Sequence, residues 1–139
     1  LGGRHKFMFS FLLSLGARLM LLDEPLNGMD LPSRGVFRKL LMRHLRNDQS
    51  VVVSTHVMSD VDRIVSDLMV LRNDGTLFCG SVDELSRRYS YGISSSAEGA
   101  LYAESCAGGY RVLRRNEDAC ESGIPTDMLF NAVIKGVIE

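Results

Sequence analysis

Two apolar runs, each breaking off into polar residues, set the tightest limit on how this chain folds. Residues 18–22 (RLMLL) run straight into Asp23 and Glu24, and residues 50–56 (SVVVSTH) end on His56. Short unbroken runs of this kind suit strands covered on both faces, as in parallel sheets. Helical patterns surround them. Residues 4–15 (RHKFMFSFLLSL) are apolar on nearly every side after the first turn and predict a helix buried on several faces, stopped by Gly16. Residues 32–46 place Val36, Leu40, Leu41 and Leu45 on one stripe, with a basic opposite face. Asp30 is a candidate N-cap for that helix and Pro32 suits its first turn. Residues 57–68, with Val57, Val61, Ile64 and Val65 in phase, predict a third helix. Strand and helix thus alternate to about residue 68, the pattern of an α/β fold with a parallel sheet. Ligands gather at the carboxyl ends of strands in such sheets, and Asp23, Glu24 and His56 all fall there.

Farther on, residues 68–81 predict a hairpin around an Asn-Asp-Gly turn. Ser81 stands three residues before Glu84, the capping-box spacing. Residues 90–99 (SYGISSSAEG) read as a connector. Two short strands, ALYAES and GYRVLRR, flank Cys-Ala-Gly-Gly, and a further strand is expected near 119–124. Residues 126–136 predict a final amphipathic helix with Thr126 as N-cap and Gly136 as its stop. The expected division is therefore residues 1–89 and a small α+β tail at 90–139.

Composition narrows the function classes. The chain has 139 residues, 45% hydrophobic and 24% charged, with a net charge of −1. That balance gives no electrostatic case for nucleic acid or for an anionic membrane surface, and pairs such as Arg87-Arg88 and Arg114-Arg115 are too short to change it. The longest apolar run, Phe7–Ala17, is interrupted by Ser10, Ser14 and Gly16 and is about half of the roughly 20 residues a bilayer span requires. Cys79, Cys106 and Cys120 lack metal-binding spacing and are expected to be free thiols in a reducing compartment. No secretory leader pattern is present.

The chemistry-bearing residues concentrate at the two strand ends. Neighbouring side chains of an extended strand point to opposite faces, so Asp23 and Glu24 can perform different tasks. One carboxylate can hold a hard cation such as Mg2+, which favours oxygen ligands. The other can polarise an attacking water. Phosphoryl transfer needs both, because catalysis there is mostly positioning and charge neutralisation. His56, beside them, can donate to or accept from a phosphate. Gly2 and Gly3 open a helix and allow close approach of an anion to its N-terminus.

In linear order, Gly2-Gly3, a helix, Leu19–Leu22 with Asp23-Glu24-Pro25, Asn27-Gly28-Met29-Asp30, a second helix, a strand and Ser54-Thr55-His56 resemble the second half of the nucleotide-binding domain of ABC transporters, over roughly Leu1–Tyr89. The resemblance implies the C-terminal half of a P-loop NTPase domain, with a parallel sheet and helices, that binds ATP with Mg2+ and hydrolyses it. It implies that Gly2 and Gly3 belong to the signature motif that touches the γ-phosphate of ATP held by a partner subunit. Asp23 would organise Mg2+ through water, and Glu24 would be the general base or water-orienting residue. Asn27–Asp30 would form the D-loop along a dimer interface, with Asp30 near the nucleotide, and His56 would be the switch histidine on the γ-phosphate. The implied partners are a second ABC ATPase domain and a transmembrane permease subunit, with no nucleic acid, at the cytoplasmic face of the cell membrane.

Two departures stand out. Leu1 occupies the place of the signature serine and Arg4 that of its glutamine. No GxxxxGKS/T phosphate loop or glutamine loop occurs in the sequence, so the chain is expected to be the C-terminal piece of a longer protein and to be inactive alone. The tail from Ser90 is similar to the small C-terminal module of ABC-2 type exporter ATPases, whose ending IPTDMLFNAVIKG resembles. The alternatives are a soluble ABC-type ATPase of DNA maintenance or translation, disfavoured by the lack of heptads or a charged linker, and a degenerate partner subunit that binds without hydrolysing.

Overall fold

Asn and Asp punctuation, short apolar strands and two long helical stripes assemble into a mixed α/β structure, described here from a computed structural model over residues 2–117 and 123–139, without the side chains of residues 2 and 4–6. The chain divides into two compact units, Leu1–Ile64 and Val65–Glu139. The signature position Leu1, Cys120 and most of the strand expected near 119–124 lie outside the described residues. No helix among those described is long and apolar enough to cross a membrane.

The first unit contains α1 (Gly2–Ser14), β1 (Leu19–Asp23), α2 (Leu31–His44) and β2 (Ser50–Ser54). Gly16, at φ +66°, takes the left-handed conformation that ends α1. The expectation that α1 is buried on several faces fails. Phe9 is buried, its ring 4.5 Å from that of Phe37 in an edge-on contact, whereas Phe7, Phe11 and Leu15 face outward. Asp30 caps α2 as expected, accepting from the Ser33 amide at 2.9 Å, with Pro32 in the first turn. Ser33, Phe37 and Leu41 form the buried face of α2, at the i, i+4, i+8 spacing of one helical stripe. Strands β1 and β2 pair in parallel, with Leu19 opposite Ser50 and Asp23 opposite Ser54. Buried Gln49 fastens their starts together: its Nε2 donates to the Ala17 carbonyl at 2.9 Å and its Oε1 accepts from the Arg46 amide. Phe9, Leu26, Met29, Phe37 and Leu41 make the core of this unit.

Residues 57–68 do not form the expected helix. A single 3-10 turn, Met58–Asp60, is followed by irregular turns in which Arg63 adopts φ 64°. Apolar phase alone does not secure a helix here, because Asp60 and the Ser59 carbonyl are taken by arginines of α2.

The second unit begins with the hairpin β3 (Asp67–Leu71) and β4 (Leu77–Ser81), closed over the predicted Asn73–Gly75 turn. Ser81 then caps α3 (Val82–Arg88) by accepting from the Glu84 amide. Residues read as a connector instead supply β5 (Tyr89–Ser94), which joins β6 (Tyr102–Cys106) and β7 (Gly109–Arg115) in an antiparallel sheet of order β5-β7-β6. Gly109 is required at its position: a Cβ there would stand 2.3 Å from the Ser94 carbonyl oxygen. Helix α4 (Thr126–Ile134) is capped by Pro125 rather than Thr126, which lies buried inside the helix. Its Met128, Leu129, Ala132 and Val133 are fully buried with Leu113 and Ile138. This core also includes Leu68, Val70 and Phe78 of the hairpin, so packing separates the chain at residue 64, while resemblance marks a change at residue 89.

Candidate functional site

The parallel register of β1 and β2 puts the polar residues that end both strands side by side. Asp23 lies opposite Ser54, whose hydroxyl donates to its Oδ1. The next amide, that of Glu24, donates both to the Ser54 carbonyl at 3.1 Å and to the Ser54 Oγ at 3.0 Å. Glu24 itself sits at φ 42°. That left-handed conformation costs a non-glycine residue about 1–2 kcal/mol. Pro25 disfavours the right-handed helical alternative at the preceding residue. The Ser54 bonds and the Asn27 amide, which donates to the Glu24 carbonyl at 3.0 Å, hold the strained residue in place. Such outliers concentrate at functional sites.

The strain turns the Glu24 side chain to His56. Oε1 accepts from the His56 amide at 3.1 Å and lies 2.6 Å from its Nδ1. With an ionised carboxylate as acceptor, Nδ1 carries the proton, and Nε2 donates as well only in the imidazolium. The His56 side chain is 70% exposed, so its far edge is open. Asp23, Glu24 and His56 are therefore brought together, each with its own partner. Asp23 and Ser54 present oxygen atoms of the hard kind that Mg2+ favours while keeping several waters. Among the described residues no group of three or more His, Cys, Asp and Glu side chains is arranged to hold an ion alone.

The other expected residues lie elsewhere in the first unit. Gly2 and Gly3 open α1, and a Cβ added at Gly3 would meet nothing within 4 Å, so packing gives no reason for glycine there. Asp30 serves as the cap of α2.

Three further residues gain a role from the structure. Ser54 touches Asp23 and Glu24, and parallel pairing of the two runs could have revealed it. Arg34 of α2 donates from Nε to the Met29 carbonyl at 3.1 Å and from Nη1 to both Asp60 oxygens at 2.8 and 2.6 Å. Asp60, the third, is buried. Only the rarity of a buried carboxylate marks it, and burial is not visible in a sequence.

No family model matches the chain. Over 91 residues, 66% of its length, it is 31% identical to ATP-binding cassette sub-family A member 17 of Mus musculus and 32% identical to phospholipid-transporting ATPase ABCA3 of Homo sapiens. The match spans 5% of each of those proteins. Over 84 residues, 60% of this chain, it is 24% identical to ABC transporter ATP-binding protein NatA of Bacillus subtilis and spans 34% of that protein. Across about two thirds of its length, and at low identity, the chain is related to ABC transporter ATP-binding proteins.

Proposed function

We propose that residues 1–89 form the second half of an ABC-type nucleotide-binding domain, with residues 90–139 as a small extension, and that the domain couples ATP hydrolysis to export by a membrane-spanning permease. The observation that carries this reading is the meeting of Asp23, Glu24 and His56 at the ends of β1 and β2. Bound Mg2+ supplies charge neutralisation to the phosphates. Asp23, oriented by the Ser54 hydroxyl, would hold the metal through water. Glu24 orients and polarises the attacking water. Its Oε1 is committed to His56, which leaves Oε2 for that task. His56 faces the γ-phosphate with Nε2, and its imidazolium form makes Nε2 a donor. Gly2 and Gly3 serve the nucleotide of a second ATPase domain across a dimer, with the turn Asn27–Asp30 at the interface. The domain works at the cytoplasmic face of the cell membrane. Leu1 and Arg4, in place of a serine and a glutamine, favour a dimer with one strong and one weak site.

The test is Glu24→Gln in a protein that contains this segment together with a phosphate loop. The expected outcome is retained Mg-ATP binding and hydrolysis slowed by roughly 10²–10⁴-fold, the usual contribution of a positioned base. Turnover close to wild type overturns the assignment. The 139-residue chain alone is expected to bind Mg-ATP poorly, and micromolar affinity would contradict that.

A further inference from the structure

Helix α2 reaches both sides of the site through one side chain. Arg34 Nε donates to the Met29 carbonyl, and its Nη1 donates to both oxygens of Asp60. The Asp60 side chain is 8% exposed and that of Arg34 23%. A carboxylate so enclosed needs a fixed counter-charge, and removing its partner alone is strongly unfavourable. Asp60 closes the 3-10 turn that starts two residues after His56, with its amide donating to the Val57 carbonyl. One helical turn along α2, Arg38 adds a bond to the Ser59 carbonyl at 3.2 Å. On the opposite side, the Met29 carbonyl belongs to the turn that leads from Glu24 into α2.

We propose that Arg34 is a positioning residue: with Asp60 it ties the Asn27–Asp30 turn to the segment after His56, so that the turn and the Glu24–His56 contact move as one body. The geometry stands by itself. Its meaning, that the interface-facing turn and the water-orienting carboxylate report on each other, rests on the nucleotide reading above.

The tie is testable in the whole 139-residue chain by amide hydrogen exchange, with no nucleotide present. The double variant Arg34→Met/Asp60→Leu removes both charges, so neither is left buried alone. Exchange at the Asn27, Met29 and His56 amides is expected to rise together by about tenfold or more, while the β1–β2 ladder stays within about twofold of wild type. Arg34→Lys provides the second arm, because an ammonium lacks the planar fork that serves a carbonyl and a carboxylate at once. It should loosen the same three amides to a smaller degree, and it decides the matter if the double variant does not fold. Response of residues 27 and 29 without His56, or a uniform rise across the first unit in both variants, overturns the proposal. A negative result here leaves the nucleotide reading standing, and a chain without ATP chemistry leaves the tie standing.

Discussion

The two units solve the problem of stability by different means. The second has the larger fully enclosed core: Met128, Leu129, Ala132, Val133 and Ile138 are fully buried, and Arg72 fastens the end of α4 by donating to the carbonyls of Val133 and Ile138. The first leaves many of its apolar side chains at the surface, with Phe7 74% and Leu21 72% exposed. Its order at the strand ends comes from polar ties, through Gln49, Ser54 and the Arg34–Asp60 pair. A core resists deformation everywhere, whereas a few directed hydrogen bonds fix particular atoms. The strand ends that carry the candidate chemistry are held by directed bonds.

The sharpest way to break this contrast is a pair of equal truncations. Leu129→Ala should destabilise the second unit by about 2–5 kcal/mol, the usual range for a buried leucine. Leu21→Ala should alter the first by no more than about 0.5 kcal/mol, as for an exposed position. Chemical denaturation with a separate probe in each unit checks both, since two units need not unfold in one transition. Similar costs would mean that Leu21 is covered in solution.

Ser54→Ala comes next. It removes the hydroxyl shared by Asp23 and the Glu24 amide, and about 1 kcal/mol of first-unit stability is expected to go with it. Loss of the Glu24–His56 contact without any change in stability would show that Ser54 acts on geometry alone.

The smallest effects are those of pH on the second unit. Arg111 grips Asp127 with two bonds of 2.9 Å and holds its carboxyl below the ordinary value of 3.8. As pH falls, the unfolded carboxyl takes its proton first. The contribution is therefore complete above about that value and lost as pH drops through the lower folded one. Asp127→Asn should flatten the acid limb of the stability curve. At the other extreme, burial followed by the bond to Glu104 pushes the Tyr102 hydroxyl up to about 12 from 10.0. Its contribution is present below 10.0 and disappears as pH rises through about 12. Phenolate absorbance checks this directly, and ionisation near 10.0 would place Tyr102 in water.

Local chemistry made much of this legible in advance. The Asp30 cap, the Ser81 cap, the Asn73–Gly75 turn and the parallel pairing of the two apolar runs each depend on neighbours in sequence or on a run's own composition. Two of the larger failures involve distant partners. Tyr89–Ser94 has a connector's composition yet pairs along its whole length with β7. Residues 57–68 have helical phase, but arginines from α2 hold the segment at Ser59 and Asp60. Within the site, Asp23, Glu24 and His56 could be named because each ends an apolar run. Ser54 follows only from pairing the two runs in parallel register, and Arg34 and Asp60 stay hidden because their contact exists only once α2 lies beside the segment after His56.

Ser54 also works as a proofreader of assembly. Side chains alternate between the faces of a strand, so a one-residue slip exchanges every inward side chain for an outward one. Sliding β2 by one position would set Val53 or Thr55 opposite Asp23. Valine has no hydroxyl to offer, so a slip that brings Val53 opposite Asp23 leaves the Asp23 carboxylate and the Glu24 amide without their shared partner. The native alignment gives the Asp23 carboxylate and the strained Glu24 amide a common partner, so the feature that prepares the site also penalises a slip of the sheet toward Val53.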